Sequence, residues 1–174
     1  MTNYPVPDSL EGMEREFSAG GVVLRRMQGK SWIAAIEPRR ESSTDDKKRQ
    51  SRSKSPVIAL PKGLVDAGEQ PEQTAIREVR EETGVEATPI TKLKDIKYFY
   101  VRSWSDRQRV FKIVSFYLLQ YRSGRIGDIT ESMKIEVERA FWLPLEEAAL
   151  KLSYRGEKDV VKVAEQYLQT HPEV

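Results

Sequence analysis

The segment from Gly63 to Val85 restricts the fold of this chain of 174 residues more than any other stretch. It reads GLVDAGEQPEQTAIREVREETGV and predicts a helix over 71–83, because Pro71 suits a first helical turn and Gly84 is the usual left-handed stop. One side of that helix is apolar, so we expect it to pack against a core. The apolar positions are Ala75, Ile76 and Val79.

Three of the glutamates in this helix lie within an arc of about 100° beside the apolar face. Two of them, Glu78 and Glu82, form a like-charge pair four residues apart, which costs about 0.2–0.5 kcal/mol in an isolated helix. A bound cation would relieve this repulsion, and carboxylate oxygens are ligands that magnesium prefers. We therefore predict a metal site formed by Glu78, Glu81 and Glu82, with Mg²⁺ as the cofactor and Mn²⁺ as the alternative ion.

The rest of the composition supports oxygen as the ligand type. The chain has no cysteine, and its one histidine, His171, lies three residues from the end. Disulfides, thiolate catalysis and zinc sites built from cysteine or histidine are therefore excluded. Any metal site in this sequence has to be made from oxygen ligands.

The same segment resembles the Nudix hydrolases. Their signature is a glycine, five residues, a glutamate, seven residues, and then Arg-Glu-apolar-x-Glu-Glu-x-Gly-apolar. Every fixed position and both gaps are matched here, by Gly63, Glu69, Arg77, Glu78, Val79, Glu81, Glu82, Gly84 and Val85. The resemblance implies an α+β Nudix fold, in which a mixed β-sheet is sandwiched between helices.

The resemblance also implies roles for these residues. Glu78, Glu81 and Glu82 match the glutamates that bind magnesium in the family, Glu69 matches the glutamate of the preceding loop, and Arg77 matches the arginine that pairs with it. The implied reaction is attack of water on phosphorus, which cleaves a pyrophosphate bond, a phosphorus-containing acid anhydride. Catalysis of this kind depends on positioning and on neutralising phosphate charge.

The general base is left open by the sequence. A glutamate of the signature is one candidate, and a glutamate from a later part of the chain is another. Glu136 and Glu138 lie two residues apart, so they would face the same side if that stretch is an extended strand. We predict Glu136 as a catalytic residue, with a solvent-facing pair as the alternative.

Flanking residues resemble the branch of the family that hydrolyses diadenosine tetraphosphate. Leu-Pro-Lys-Gly opens the segment, so Lys62 and Gly63 are predicted substrate contacts, since lysine is a natural partner of phosphate. Lys112 resembles a lysine on a central strand of those enzymes. Tyr154 resembles a tyrosine that stacks on adenine, with a helix-capping core tyrosine as the alternative. Unlike some members of that branch, the chain has no histidine near Leu64 or Glu136.

These features predict a Mg²⁺-dependent pyrophosphohydrolase that acts on a nucleoside diphosphate linked to another group. We expect dinucleoside polyphosphates as substrates, such as diadenosine tetraphosphate, which would give ATP and AMP. Sanitising hydrolysis of oxidised nucleoside triphosphates and removal of pyrophosphate from RNA 5′ ends are the alternatives. A non-catalytic nucleotide-binding regulator is a further alternative, which the complete set of signature glutamates disfavours. The oligomeric state, monomer or homodimer, is left open.

The chain is predicted to form one domain over 17–170, preceded by an N-terminal extension over 1–16. The stretch 41–55 contains no apolar residue, so we predict a flexible insertion between strands. Seven basic and three acidic side chains lie between positions 39 and 54, which a solvated loop explains. Contact with a nucleic acid or a polyphosphate is the less favoured explanation of that charge. No apolar run is long enough for a membrane span and no secretory signal is present, so we expect a cytoplasmic location without a membrane partner.

Hydrophobic patterning predicts the remaining elements. A hairpin is expected around the sequence Gln-Gly-Lys at 28–30, and a strand is expected to resume before the signature. A loop over 123–132 and a short helix that begins at Pro144 and ends at Leu152 follow. The predicted strands are Phe17–Arg25, Ser31–Ile36, Val57–Leu60, Ile96–Trp104, Arg109–Gln120 and Ile135–Leu143, and the last helix is expected over Glu157–Gln169, with Val160, Val161, Ala164 and Leu168 buried.

Overall fold

A computed structural model of the chain describes residues 13–39, 55–102 and 108–174. Within these ranges the strands are β1 (Glu14–Met27), β2 (Lys30–Pro38), β3 (Lys62–Leu64), β4 (Glu86–Val101), β5 (Arg109–Ser123) and β6 (Val137–Pro144). The helices are α1 (Pro71–Thr83), α2 (Leu145–Lys151) and α3 (Arg155–Thr170), and a 3₁₀ turn covers Met133–Ile135.

The strands form one mixed sheet in the order β4-β5-β1-β2-β6, and β3 pairs with β1 outside that path. β1 is the central strand. It runs parallel to β5 along one edge, and it divides its other edge between two antiparallel neighbours. β3 pairs with its residues 18–20, whereas β2 pairs with it from Leu24 onward. The short strand β3, which begins the signature segment, is therefore held in the middle of the sheet.

Helices cover both faces of the sheet, as predicted. The apolar side of α1 packs on one face, where Ala75 and Val79 join a core with Ala19 and Val23 of β1. α2 and α3 pack on the opposite face, and their side chains meet the other set of β1 residues. Because successive side chains of β1 point to opposite faces, its residues pack in both cores. The core on the second face includes Val22, Leu24, Phe116, Leu118, Leu152, Val160, Val161 and Ala164.

The predicted hairpin is confirmed. Gln28 and Gly29 connect β1 to β2, and both have positive φ values, 54° and 74°. Positive φ at both central residues is what a tight two-residue hairpin turn requires. The short helix and the final helix are also observed, as α2 and α3, with bounds that differ from the prediction by one or two residues.

The predicted strand Val57–Leu60 is wrong. Only Ala59 pairs with a strand, through an isolated bridge to Ile36. The neighbouring main-chain groups bond instead to side chains in and just before α3. Ile58 N–H donates to Ser153 Oγ, and Leu60 N–H donates to Glu157 Oε1. Because these N–H groups donate to side chains, they are not available to pair with a strand.

The bounds of the other predicted strands also differ from those observed, by up to three residues in β1, β2, β5 and β6 and by more in β4. β4 begins ten residues before Ile96, at Glu86, and Trp104 lies outside the described residues. Its first half is interrupted by register shifts against β5, and such irregular pairing removes the clean alternation that marks a strand in a sequence. Ile135 belongs to the 3₁₀ turn, so β6 begins only at Val137.

The boundaries of the domain stay predictions, because the residues that decide them are outside the described ranges. β1 begins at Glu14, inside the stretch predicted as an N-terminal extension, while 1–12 are not described. Most of the predicted insertion over 41–55 is likewise not described. Among the helices that the described residues form, none is long and apolar enough to cross a membrane.

The end of α1 gives a test of the fold. Gly84 has φ 80°, and a Cβ there would collide with the Asp128 carbonyl oxygen. We expect Gly84→Ala to lower the free energy of unfolding by about 2–4 kcal/mol, from left-handed strain plus the collision. Gly29→Ala is the matched control, since φ is 74° but no atom lies within 4 Å of the added Cβ. It should cost about 1 kcal/mol. Equal losses in chemical denaturation would show that the collision is absent.

Candidate active site

The helix predicted over 71–83 is observed as α1 with the same bounds. Pro71 stands in its first turn, and Gly84 ends it in the left-handed region. Just before the helix, the Gln70 N–H donates to Gln73 Oε1 at 3.0 Å. Local chemistry therefore fixes both ends of the helix, and this sets the direction in which each of its glutamates points.

Of the three signature glutamates on α1, two point inward and one points towards solvent. Glu78 and Glu82 are buried, with 8% and 7% of their surface exposed, whereas the Glu81 side chain is 38% exposed. Gly63 lies opposite Glu78, and a Cβ at this position would occupy the place of the Glu78 carboxyl group. The glycine that opens the signature thus leaves room for a carboxylate.

Arg77 is the centre of an ion-pair network. Its guanidinium contacts Glu69 with two parallel hydrogen bonds of 2.9 Å, the bidentate geometry that is strongest for this pair. It also donates to Glu78 Oε1 at 2.9 Å, to Glu81 Oε2 at 3.1 Å and to the Leu64 carbonyl oxygen at 3.0 Å. One side chain therefore ties the loop, the helix and β3 together.

Glu69 is held in its ionised form by this network. The hydrogen bonds from Arg77 lower the pKa of Glu69 to about 2, and the Thr74 hydroxyl contributes as a second donor. The same contact with Glu69 raises the pKa of Arg77 still further above its usual range. The predicted pairing of these residues is thus observed, and Thr74 is an addition that the sequence reasoning missed.

Glu82 has the opposite electrostatic environment. Burial, together with the charges of Glu78 and Glu136, raises the pKa of Glu82 to about 8, although the Lys62 N–H donates to its Oε2 at 3.0 Å and opposes this rise. Burial also raises the pKa of Glu78, which Arg77 opposes. These buried carboxylates have too little positive charge around them to be readily ionised together.

The side chains of this cluster have the chemistry of a metal site. The three predicted ligands are oxygen donors on one helix, and the electrostatic repulsion between Glu78 and Glu82 would be relieved by a hard divalent cation. Within the described parts of the chain, however, no three carboxylate or histidine groups already converge on one point. Arg77 accounts for this, because it draws the carboxylates of Glu78 and Glu81 to itself. The oxygen donors are of the type that Mg²⁺ prefers, but the carboxylates of Glu78 and Glu81 are oriented towards Arg77.

The structure separates the two glutamates that were predicted to share a strand face. Glu136 follows the 3₁₀ turn in a helical conformation, so the assumption that this stretch is extended is wrong there. Its charge nevertheless acts on Glu78 and Glu82. Glu138 instead forms an ion pair with Arg39 at 2.8 Å. Of the two, Glu136 is the one near the buried carboxylates.

Lys62 links the carboxylates to the opposite face of the sheet. Successive residues of β3 point to opposite faces, so Gly63 lies against α1 while the Lys62 side chain points towards α3. Its Nζ is 2.6 Å from Glu157 Oε2 and 4.9 Å from the centroid of the Tyr154 ring. Glu157 has only 1% of its surface exposed. The sequence offered one signal for it, because Glu157 shares a helical face with Val160, Val161 and Ala164.

Lys112 lies on the same face of the sheet as Lys62. It pairs in register with Tyr98 of β4 and with Glu16 of β1, and its Nζ is 3.0 Å from Glu16 Oε1. Burial raises the pKa of the Tyr98 phenol, and the charges of Lys62 and Glu16 act on that phenol as well. We call this surface the tyrosine–lysine surface; it consists of Lys62, Tyr98, Lys112 and Tyr154, with Glu16 and Glu157 as counter-charges.

The tyrosines of this surface are accessible. Tyr154 has 47% of its surface exposed and Tyr98 has 40%. Of the alternative that Tyr154 is a helix-capping core tyrosine, the core position is therefore wrong, whereas Tyr154 does stand at the N-cap of α3. Tyr98, Glu16 and Glu157 were missed by the sequence reasoning, since they lie on strands and helices whose spatial neighbours are distant in the chain. The predicted contacts Lys62, Gly63, Lys112 and Tyr154 are all found around one end of the sheet.

Comparison with known proteins supports the fold described above. The NUDIX domain model matches residues 16–164. The "Bis(5'-nucleosyl)-tetraphosphatase [asymmetrical]" of Mus musculus is 33% identical over 112 residues, which are 64% of this chain and 72% of that protein. The crystal structure of a C. elegans Ap4A hydrolase binary complex matches with a TM-score of 0.61 and 22% identity, over 89% of this chain and 98% of that one.

One relative is longer than the present chain. The "Putative mutator protein MutT4" of Mycobacterium tuberculosis is 34% identical over 155 residues, which are 88% of this chain and 56% of that protein. This chain thus spans little more than half the length of that relative.

The Glu69–Arg77 pair predicts a particular dependence of stability on pH. A carboxylate whose pKa is depressed on folding stabilises the protein above its unfolded pKa, here 4.5, and loses this effect as pH falls towards the folded value of about 2. We expect Glu69→Gln to lower the free energy of unfolding by about 1–2 kcal/mol at neutral pH. Denaturation series from pH 7 to pH 2 should show the difference from wild type fading below about pH 4.5. A difference that is constant with pH would contradict this electrostatic role.

Proposed function

The chain belongs to the NUDIX hydrolase family, and we propose that it is a Mg²⁺-dependent pyrophosphohydrolase of dinucleoside polyphosphates, which cuts diadenosine tetraphosphate into ATP and AMP. The observation that carries this proposal is the position of Lys62. Its main-chain N–H contacts the buried carboxylate of Glu82, and its ammonium lies over the ring of Tyr154. Lys62, the proposed phosphate contact, thus lies between the carboxylate cluster and the exposed ring of Tyr154.

Each part of the site has a role in this proposal. Glu78, Glu81 and Glu82 are the magnesium ligands, and an ion bound to them would neutralise phosphate charge and polarise the attacking water. Arg77 and Glu69 hold the loop and α1 in place, so that these carboxylates keep a fixed position. Glu136 is the proposed general base, supported by its charge acting on Glu78 and Glu82.

The tyrosine–lysine surface is proposed to bind the remainder of the substrate. Lys62 and Lys112 lie on one face and offer ammonium groups to a polyphosphate, which carries enough negative charge to contact both lysines and the metal site. Tyr154 and Tyr98 offer two exposed rings on which an adenine can stack. A substrate with two adenosines uses more of this surface than a single nucleotide does.

The relatives support more than one substrate class. Similarity to the mouse tetraphosphatase favours dinucleoside polyphosphates. Similarity to the mycobacterial protein named as a mutator protein favours the sanitising of nucleoside triphosphates as the second candidate. An "NAD-capped RNA hydrolase NudC" of Photobacterium profundum is 34% identical over 91 residues, which keeps hydrolysis at an RNA end among the alternatives.

The proposed metal dependence is tested by chelation and by one substitution. We expect turnover to stop in excess chelator and to return with Mg²⁺ or Mn²⁺. Glu82→Gln should lower kcat by at least about a hundredfold, while it keeps an acceptor for the Lys62 N–H and so preserves the fold. The metal-free variant should unfold at a higher temperature than wild type, because a buried carboxylate is gone.

Glu72→Gln is the control for this substitution, since Glu72 is exposed in the first turn of the same helix. It should leave kcat unchanged. Full turnover in excess chelator would overturn the metal-dependent proposal.

The proposed substrate is tested with a panel of dinucleoside polyphosphates, nucleoside triphosphates, nucleotide sugars and triphosphorylated RNA, with all products identified. We expect diadenosine tetraphosphate to give ATP and AMP and to be cut faster than any mononucleoside triphosphate. Base stacking on a tyrosine contributes on the order of 1–3 kcal/mol. Tyr154→Ala should therefore raise KM for the dinucleotide about tenfold to hundredfold and barely change KM for a triphosphate.

Two outcomes would contradict this assignment. Equal effects of Tyr154→Ala on both substrates would mean that the ring does not bind a second base. Products other than ATP and AMP would place the cut at another pyrophosphate bond.

A further inference from the structure

Glu157 is a charged side chain in the interior at the beginning of α3. Its Oε1 accepts a hydrogen bond from the Leu60 N–H, and its Oε2 accepts one from the Lys62 ammonium, both at 2.6 Å. A buried carboxylate is costly unless it is paired and hydrogen-bonded. Both oxygens of Glu157 have partners, and both partners lie in the segment that leads into the signature.

We propose that Glu157 is a positioning residue, which holds the Lys62 ammonium where it contacts the phosphates of the substrate. The inference rests on the proposed function, in which Lys62 is a phosphate contact. Glu157 acts through Lys62 and does not itself touch the substrate.

Lys62 is well placed to be positioned in this way. Its main chain is fixed by Glu82, and only its flexible side chain needs a second support. A lysine ammonium has three N–H donors, and one of them goes to Glu157, which leaves donors for phosphate oxygens. The Lys62 side chain is 29% exposed, so a substrate can reach it.

The main chain that carries Glu157 is itself rigidly supported. The Ser153 N–H donates to the Ile58 carbonyl at 2.9 Å, and the Ile58 N–H donates back to Ser153 Oγ at 2.9 Å. At Gly156 a Cβ would meet the Ile96 side chain of β4 at 2.9 Å, so helix and strand are in close contact. A carboxylate on such a support can hold a flexible ammonium in one place.

The same turn of chain also carries the aromatic ring of the site. Tyr154 immediately precedes α3, and Glu157 lies three residues after it. The beginning of α3 therefore sets the ring and the ammonium relative to each other. The ring of Tyr154, proposed to stack on a base, and the Lys62 ammonium, proposed to contact phosphate, are therefore both positioned by this one turn.

A purely structural role is the competing explanation, in which Glu157 only anchors the Leu60 N–H. Glu157→Gln separates the two roles. The glutamine oxygen can still accept the Leu60 N–H, but the amide has no charge for the Lys62 ammonium. Lys62→Met removes the ammonium and keeps most of the side-chain length.

The experiment is a double-mutant cycle on kcat and KM for diadenosine tetraphosphate, with Glu157→Gln made in the wild type and in the Lys62→Met variant. In the wild type we expect KM to rise about tenfold, because a charged hydrogen bond is lost, with kcat within about threefold. In Lys62→Met the same change should alter KM by less than about twofold. An equal effect in both backgrounds would overturn the proposal.

A matched control is a lysine–glutamate pair away from the site. Glu146 is 3.3 Å from Lys30, and both side chains are more than half exposed. Glu146→Gln should leave kcat and KM unchanged. A rise in KM as large as that for Glu157→Gln would show that the loss of a glutamate charge anywhere in the protein is enough, and would overturn the proposal.

A measurement without turnover keeps the inference separate from the proposed function. A fixed ammonium exchanges its protons slowly, so the unmodified protein should give an observable ¹⁵Nζ resonance for Lys62, assigned by its loss in Lys62→Met. This resonance should disappear in Glu157→Gln. Its absence from the unmodified protein would overturn the positioning role.

If the resonance is present but no dinucleotide is cut, the proposed function fails and the pairing stands. The cycle is then run with the substrate of the panel that is cut. Non-additive KM values for that substrate support the positioning role, and additive values overturn it.

Discussion

The contacts of Arg77 are the interaction on which the rest of the candidate site depends. Its guanidinium holds Glu69 of the loop through two hydrogen bonds and the Leu64 carbonyl of β3 through a third. Since Arg77 stands on α1, these bonds join loop, strand and helix into one unit. The planar fork of arginine provides this geometry, which lysine could not reproduce. The glutamates of α1 take their fixed positions from this unit.

Those positions are costly for a chain without a bound cation. Glu78 and Glu82 are buried, and burial raises the pKa of both carboxyl groups. The cost is offset in part by Arg77 and by the Lys62 N–H. The buried carboxylates therefore lower the stability of the metal-free chain. Such clusters of perturbed carboxyl groups are typical of functional sites and are difficult to explain by packing alone. The same imbalance of charge is what makes the family's divalent cation a fitting partner.

β3 connects this carboxylate cluster to the tyrosine–lysine surface, although it has only three residues. Because strand residues alternate in direction, Gly63 makes room for Glu78 on one face while Lys62 reaches Glu157 on the other. β1 supports this arrangement by pairing with β3 at 18–20 and with β2 further along. Two chemically different surfaces therefore meet within two residues of chain.

The sequence by itself determined the signature helix. Its bounds and its buried face could be predicted because caps and periodicity are local in the chain, and the pairing of Glu69 with Arg77 was implied by the resemblance to the Nudix signature. The tertiary structure decided the partners of Lys62, since Glu157 is 95 residues away. It also decided that Val57–Leu60 is not a strand and that Glu136, not Glu138, lies near the carboxylates. Such contacts form only when distant segments pack, and no local pattern of residues encodes which segments meet.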